Sequence, residues 1–168
     1  MRKILLSVSS AIVLLLGVTP VFSAGEENVQ VLVSTELISV SLDIDTINFG
    51  ALPLNTESPS SVQIMARNNG TVVEDFGIKG TTASCNNCSS SNNWALSSTN
   101  DSTDKYIMKY STDNWTTPIT MTTNYVGFAS NMSINGDSGF KFKLTTPQAS
   151  TVMGNYDTNV WVLATKHI

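Results

Sequence analysis

The chain has few charged residues and few of the side chains that bind phosphate. Of its 168 residues 13% are charged, with nine Lys or Arg against thirteen Asp or Glu, and its formal net charge is −4. Its two arginines are Arg2 and Arg67. A surface that binds nucleic acid needs a cluster of basic residues for the phosphates. The composition therefore excludes nucleic acid as a partner.

The chain also lacks the residues of the common hydrolases. Its single histidine is His167, next to the last residue, where we expect a frayed terminus that orients no imidazole. A Ser-His-Asp triad needs an oriented imidazole, and neither GxSxG nor HExxH is present. A structural zinc site has four protein ligands, and one histidine and two cysteines are too few to supply them. We therefore expect that the protein is not an enzyme and that it binds no cofactor.

Long apolar runs are limited to the N-terminus. Arg2 and Lys3 precede the apolar stretch ILLSVSSAIVLLLGV, and VFSA then offers small residues for cleavage before Ala24. Residues 1–23 are therefore predicted to be a signal peptide. A retained N-terminal anchor is the alternative, but the run is short for a membrane span. We expect residues 24–168 to be exported, to the periplasm, the cell surface or the medium, with no stable membrane span.

Only two cysteines are present, Cys85 and Cys88, in the motif CNNC. In an exported protein this spacing predicts a structural disulfide that closes a polar loop. A redox-active pair is the alternative, and it would normally begin a helix that lowers the thiol pKa. The flanks TTAS and SSSNN carry no helical pattern.

After the predicted signal peptide the apolar residues show no helical periodicity; they recur at every second position instead. ISVSLDID, SVQIMAR and FKFKLT alternate apolar and polar residues, which predicts strands with one buried face. VWVLA (160–164) is apolar on both faces and predicts an interior strand. Further strands are predicted at 29–35, 75–79, 93–96, 106–111 and 120–124. The pattern indicates an all-β fold, a single antiparallel sandwich of eight or nine strands.

Three motifs suggest a family. Phe49-Gly50 closes a strand, Asn68, Asn69 and Gly70 predict a tight turn with positive φ, and FGIKG (76–80) follows. The layout resembles bacterial Ig-like domains of the ASH/MSP-like kind, and later stretches are similar to secreted bacterial and archaeal sandwich proteins. Asn55 stands where that pattern usually has Gly, although Asn tolerates the left-handed region. The resemblance implies an Ig-like sandwich over residues 24–168, a scaffold for surfaces and appendages without shared chemistry.

Aromatic side chains are the candidates for ligand binding. Trp115, Tyr125 and Tyr156 are predicted to lie in loops, where their rings offer stacking platforms for sugars. Trp94 and Trp161 are expected to pack in the core instead. YSTDNW (110–115) is similar to a truncated Asp-box hairpin, which is a structural motif. A glycan is thus a possible partner.

Acidic and amide residues are expected to be solvated or structural. The acidic pairs Asp43/Asp45 and Glu74/Asp75 are predicted on exposed faces. Calcium ligands are conceivable, but their spacing favours turns: Asp101, Asp104 and Asp113, or Asn135–Asp137. Five N-x-S/T triplets matter only in a host that glycosylates exported proteins: Asn69, Asn87, Asn100, Asn114 and Asn131.

Two functions are consistent with these residues. The first is a non-catalytic structural or assembly protein, a matrix, surface-layer or filament subunit whose partners are itself or other surface proteins. GEENVQVLVST (25–35) offers a strand to a neighbour's open edge. The alternative is that 29–35 pairs within its own sandwich. The second function is a small glycan- or ligand-binding module.

Overall fold

Strands are the only regular elements in the computed structural model, which describes residues 30, 32–60, 62–99 and 101–168. The predicted signal peptide, residues 1–23, and Asn100 lie outside them. The chain divides into two units, Met1–Val33 and Ser34–Ile168. In the first unit the described residues, 30, 32 and 33, belong to no strand. All strands of the described residues belong to the second unit.

Twelve strands form in the described residues, and the all-β prediction is confirmed. They are β1 (Val40–Leu42), β2 (Glu57–Pro59), β3 (Ile64–Asn68), β4 (Glu74–Gly80), β5 (Ala83–Asn86), β6 (Asn93–Leu96), β7 (Lys105–Ser111), β8 (Ile119–Thr120), β9 (Val126–Met132), β10 (Asp137–Thr145), β11 (Asn155–Asp157) and β12 (Val160–Lys166). The predicted number of eight or nine is too low, because strands as short as β2, β8 and β11 carry too little alternation to detect. No helix in this part of the chain is long and apolar enough to cross a membrane.

The strands form two sheets. The larger has nine strands in the order β1-β3-β10-β7-β6-β5-β11, with β2 on β10 and β8 on β7, and the smaller has the order β12-β4-β9. The prediction of purely antiparallel pairing is wrong for one pair, since β6 and β7 run parallel, with Ala95 opposite Lys105. Alternation predicts which face of a strand is buried and contains no information about its direction.

Both sheets contribute to one hydrophobic core. Phe76 and Ile78 of β4 are buried with residues of the larger sheet: Ile64, Ala66, Tyr106, Met108, Tyr110, Phe140 and Phe142. The ring of Phe128 on β9 lies 5.2 Å from that of Phe140. The alternation in FKFKLT is therefore confirmed, and each fully buried aromatic or aliphatic side chain contributes about 1.5–3 kcal/mol.

The prediction for β12 needs correction. Among the described residues this strand pairs with β4 alone, so that it is an edge of the smaller sheet. Val160 and Val162 pack against the core, whereas Trp161 is 52% exposed and Leu163 is 41% exposed. A strand that is apolar on both faces does not reveal whether protein covers its second face.

The NNG motif is built differently from the predicted turn. Asn68 ends β3 fully buried, and none of Asn68, Asn69 and Gly70 has a positive φ. The Asn68 side-chain amide donates to the carbonyls of Val72 (2.8 Å) and Met132 (3.0 Å). Its carboxamide oxygen accepts the N–H of Gly70 at 2.8 Å. Asn55 lies in the left-handed region that asparagine tolerates, with φ 55°.

Glu74 is also buried, contrary to its predicted exposure. It is fully inaccessible on the core face of β4, and its Oε1 accepts the N–H of Ser39 at 2.8 Å. Its Oε2 finds no hydrogen-bond partner among the described residues. Glu74 therefore holds the chain before β1 against the smaller sheet.

Candidate functional site

The three predicted stacking residues lie in three different places. Trp115 is half-buried in the loop between β7 and β8, at a φ of 74°. Its N–H donates to Ser111 Oγ at 2.8 Å, and Lys143 Nζ lies 4.7 Å from its ring centroid. A bulky residue in the left-handed region is held there by its surroundings. One face of this ring is already occupied by a cation.

Asp113 stabilises the same loop. Its carboxylate accepts hydrogen bonds from the Thr117 hydroxyl, the Thr117 N–H (3.1 Å) and the Ser111 hydroxyl (2.7 Å). These bonds, with that of the Thr117 hydroxyl foremost, lower the pKa of Asp113 to about 2. The stretch that resembles a truncated Asp-box is thus a closed turn, and the carboxylate of Asp113 accepts hydrogen bonds from residues of that same turn.

Tyr156 belongs to β11 rather than to a loop. Its ring stacks on that of Trp94, with centroids 3.7 Å apart and 15° between the planes. Its hydroxyl donates to the Val152 carbonyl at 2.7 Å and accepts from the Asn92 amide at 3.0 Å. The pair covers one face of each ring, and Trp94 packs against the core as predicted.

Tyr125 is the most accessible of the three, at 40% exposure. It precedes β9 on the side of the smaller sheet that faces away from the core. Lys79 Nζ lies 4.6 Å from its ring centroid. A Cβ placed on Gly77 would meet Tyr125 Cβ at 3.6 Å, so that the tyrosine side chain runs beside this glycine.

Tyr125 is part of a larger exposed surface that we name the outer aromatic face. It consists of Trp161, Leu163, Lys79, Tyr125, Gly77 and Gly127. Trp161 pairs in register with Lys79, Leu163 with Gly77, and Gly77 with Gly127. A Cβ on Gly127 would meet no atom within 4 Å. Gly127 therefore leaves open space on this face, whereas the Tyr125 side chain lies beside Gly77.

Most of this face is not evident from the sequence. Trp161 is predicted to lie in the core, which is wrong, and Lys79 belongs to no motif that indicates a site. Gly77 and Gly127 are the residues from which the face could have been predicted. A glycine inside a strand often marks a place where a ligand or another backbone approaches closely.

A cleft opens beside the edge strand β12. It has a volume of about 980 Å³ and is lined by Val160 and Val162 of β12, by larger-sheet residues that include Phe142, and by the 44–52 segment with Ile44, Ile47 and Phe49. The sequence predicted that a long first strand would continue to Phe49, but β1 ends at Leu42. The segment after it lines the cleft without pairing with β12.

Cys85 and Cys88 form a close pair at the end of β5, with their Cα atoms 5.9 Å apart. This separation is usual for a disulfide. Tyr156 lies opposite Cys85 in the β5–β11 ladder. The pair therefore borders the contact between these two strands.

His167 is more ordered than predicted. Its N–H donates to the Val73 carbonyl at 2.9 Å, and its Nδ1 lies 2.8 Å from Asp75 Oδ1. The pKa of Asp75 is lowered, first by the Asn131 N–H that it accepts and then by His167. No hydroxyl or thiol side chain hydrogen-bonds to His167 in the described part of the chain, and the arrangement is an acid–imidazole pair without a nucleophile.

The acids named as possible calcium ligands have other partners. Asp104 accepts hydrogen bonds from Asn92, Ser150 and Thr151, which lower its pKa against the effect of desolvation. Asn135 and Gly136 form a turn that is closed by the Ser133 carbonyl. Within residues 30, 32–60, 62–99 and 101–168 there is no group of three His, Cys, Asp or Glu that could hold a metal ion.

Comparison with known protein families, with curated proteins and with solved structures gives no match for this chain.

Proposed function

We propose that this chain is a non-catalytic structural subunit, exported to the cell surface or beyond, that assembles by strand exchange between copies. In this proposal its fold is an Ig-like sandwich of the ASH/MSP-like kind. The observation that carries the proposal is the open edge of β12 beside a cleft whose lining is partly apolar.

The edge of β12 is suited to accept a strand. On the side away from β4 its backbone N–H and C=O groups have no ladder partner among the described residues. An open edge of this kind pairs readily with an added strand, whose alternate side chains enter the adjoining pocket. Here the pocket has apolar walls that include Val162, Ile47 and Phe49, next to polar side chains such as that of Asn48. An incoming strand would bury its own apolar side chains there.

The donor in this proposal is residues 25–35 of a second copy. Val29, Val31 and Val33 alternate with Gln30, Leu32 and Ser34, which gives the segment one β-branched face. Its described residues, 30 and 32–35, are in no strand, and Leu32 and Val33 are each 83% exposed. The alternative of internal strand pairing is therefore not found for these five residues. Burying two valines of the donor contributes about 3–6 kcal/mol.

The test uses two full-length variants of the exported chain, studied by light scattering after size exclusion over a concentration series. Val33→Asp disables the donor, and Ile47→Asp disables the acceptor by placing a carboxylate in the cleft. We expect the parent to form concentration-dependent oligomers and each variant alone to be monomeric. A mixture of the two forms a one-to-one dimer, because each supplies the part that the other lacks.

Gln30→Asp is the matched control, since it adds the same charge to the opposite face of the donor and leaves assembly intact. Thermal melts of all chains check that they fold. A parent that remains monomeric at all concentrations, or folded variants that assemble like the parent, would overturn the proposal.

A further inference from the structure

We infer that the outer aromatic face binds an acidic polysaccharide, a chain of uronic-acid or similarly charged sugars. This site is separate from the β12 edge and the cleft. The face uses the outward side chains of the smaller sheet, whereas strand exchange uses the backbone of β12 and the inward side chains of the same strand.

Two exposed aromatic side chains are correctly spaced to contact one extended ligand. Trp161 lies on β12, Tyr125 lies directly before β9, and β4 runs between these two strands. Two strand spacings separate their backbones by about 10 Å. At 52% and 40% exposure both side chains are accessible to a ligand. The C–H face of a pyranose ring packs well against an aromatic ring, because the ring carries negative charge on its face.

The charge on the face selects an anionic ligand. Lys79 stands between the two aromatic residues, over the ring of Tyr125, and has no carboxylate partner among the described residues. The nearest acid on the same face of β4 is Asp75, two positions beyond Gly77, and it is engaged by His167 and the Asn131 N–H. A sugar carboxylate would complete the ion pair that Lys79 lacks.

The shape of the outer aromatic face is compatible with an extended polysaccharide chain. Gly77 and Gly127 lie opposite each other in the ladder, and Gly127 has open space where a side chain would stand. The open space at Gly127, next to the exposed side chains of Tyr125 and Trp161, leaves this side of the sheet accessible to an extended chain. The other two candidate aromatics offer less, since both are less exposed than Tyr125 and Trp94 also covers Tyr156.

The test is native affinity electrophoresis of the exported chain through gels that contain polygalacturonate or its methyl ester. The two polymers share a backbone and differ in the charge of the carboxyl group. We expect polygalacturonate to retard the parent chain strongly and the ester to retard it weakly. Trp161→Ala and Tyr125→Ala weaken the retardation by about tenfold in apparent Kd for either polymer.

The matched controls separate charge from stacking. Lys79→Gln removes the difference between the two polymers and leaves the weak retardation by the ester. Trp115→Ala, in the loop between β7 and β8 of the larger sheet, lies outside the face and binds like the parent. The monomeric Val33→Asp chain also binds like the parent, so that failure of strand exchange does not affect this result.

Three outcomes would overturn the inference. They are no retardation by either polymer, equal retardation of the parent and Trp161→Ala, and a loss of oligomers in Trp161→Ala without any loss of retardation. The last would assign the face to a second copy of the chain.

Discussion

Two neighbouring asparagines should differ sharply in their contribution to stability. Asn68 is fully buried and makes three side-chain hydrogen bonds that join β3 to the following turn and to β9. Asn69 is exposed, and its side chain makes one hydrogen bond, to Ser41. The two positions share residue type and sequence context, so that Asn69→Ala is a close control for Asn68→Ala.

The expected magnitude is set by the hydrogen bonds that are lost. Each contributes about 0.5–1.5 kcal/mol, and removal of Asn68 also leaves the carbonyls of Val72 and Met132 and the N–H of Gly70 without their partner. We therefore expect Asn68→Ala to lower the free energy of unfolding by about 3 kcal/mol. The loss at Asn69 should stay within about 0.5 kcal/mol, as is usual for surface positions. The free energy of unfolding of small domains is about 5–15 kcal/mol, so a loss of this size at Asn68 is severe.

The assay is urea unfolding followed by tryptophan fluorescence. With a slope of about 2 kcal/mol per M, Asn68→Ala moves the midpoint down by about 1.5 M, and Asn69→Ala leaves it nearly unchanged. The slope itself should be equal in all three proteins. Equal midpoints for the two variants would refute the structural role of Asn68 and return the NNG motif to an ordinary exposed turn.

Two further predictions concern acid and reducing conditions. Because the pKa of Asp113 is lowered from 3.8 to about 2 by its bonds to Thr117 and Ser111, its contribution to stability is complete above about pH 4 and is lost as the pH falls through 2. The Asp113→Asn variant should show a smaller loss of melting temperature between pH 4 and pH 2, and an unchanged profile would contradict the prediction. Reduction of the Cys85–Cys88 pair should lower the free energy of unfolding by at most about 2 kcal/mol, because the loop is short. Thiol titration before and after reduction checks the bond, and two reactive thiols in the native protein would show that it is absent.

The sequence predicted those features that depend on a single strand. Asn93–Leu96 was predicted as a strand with the bounds that the structure has, and 106–111 differs from β7 by one residue. Phe140 and Phe142 point into the core, as the alternation in FKFKLT required. The inward face of a strand is a local property, since successive side chains point to opposite sides of the backbone.

Other features depended on which parts of the chain lie next to each other. Trp161 is exposed because no part of the chain that the structure describes covers the second face of β12, and Glu74 is buried because the chain around Ser39 returns over it. Asn68 finds its partners Val72 and Met132 four and sixty-four residues away. The pattern of apolar and polar residues was thus sufficient for an all-β fold, while the open edge, the cleft and the outer aromatic face were decided by tertiary packing. Burial depends on what lies opposite a residue, and a local pattern contains no record of that.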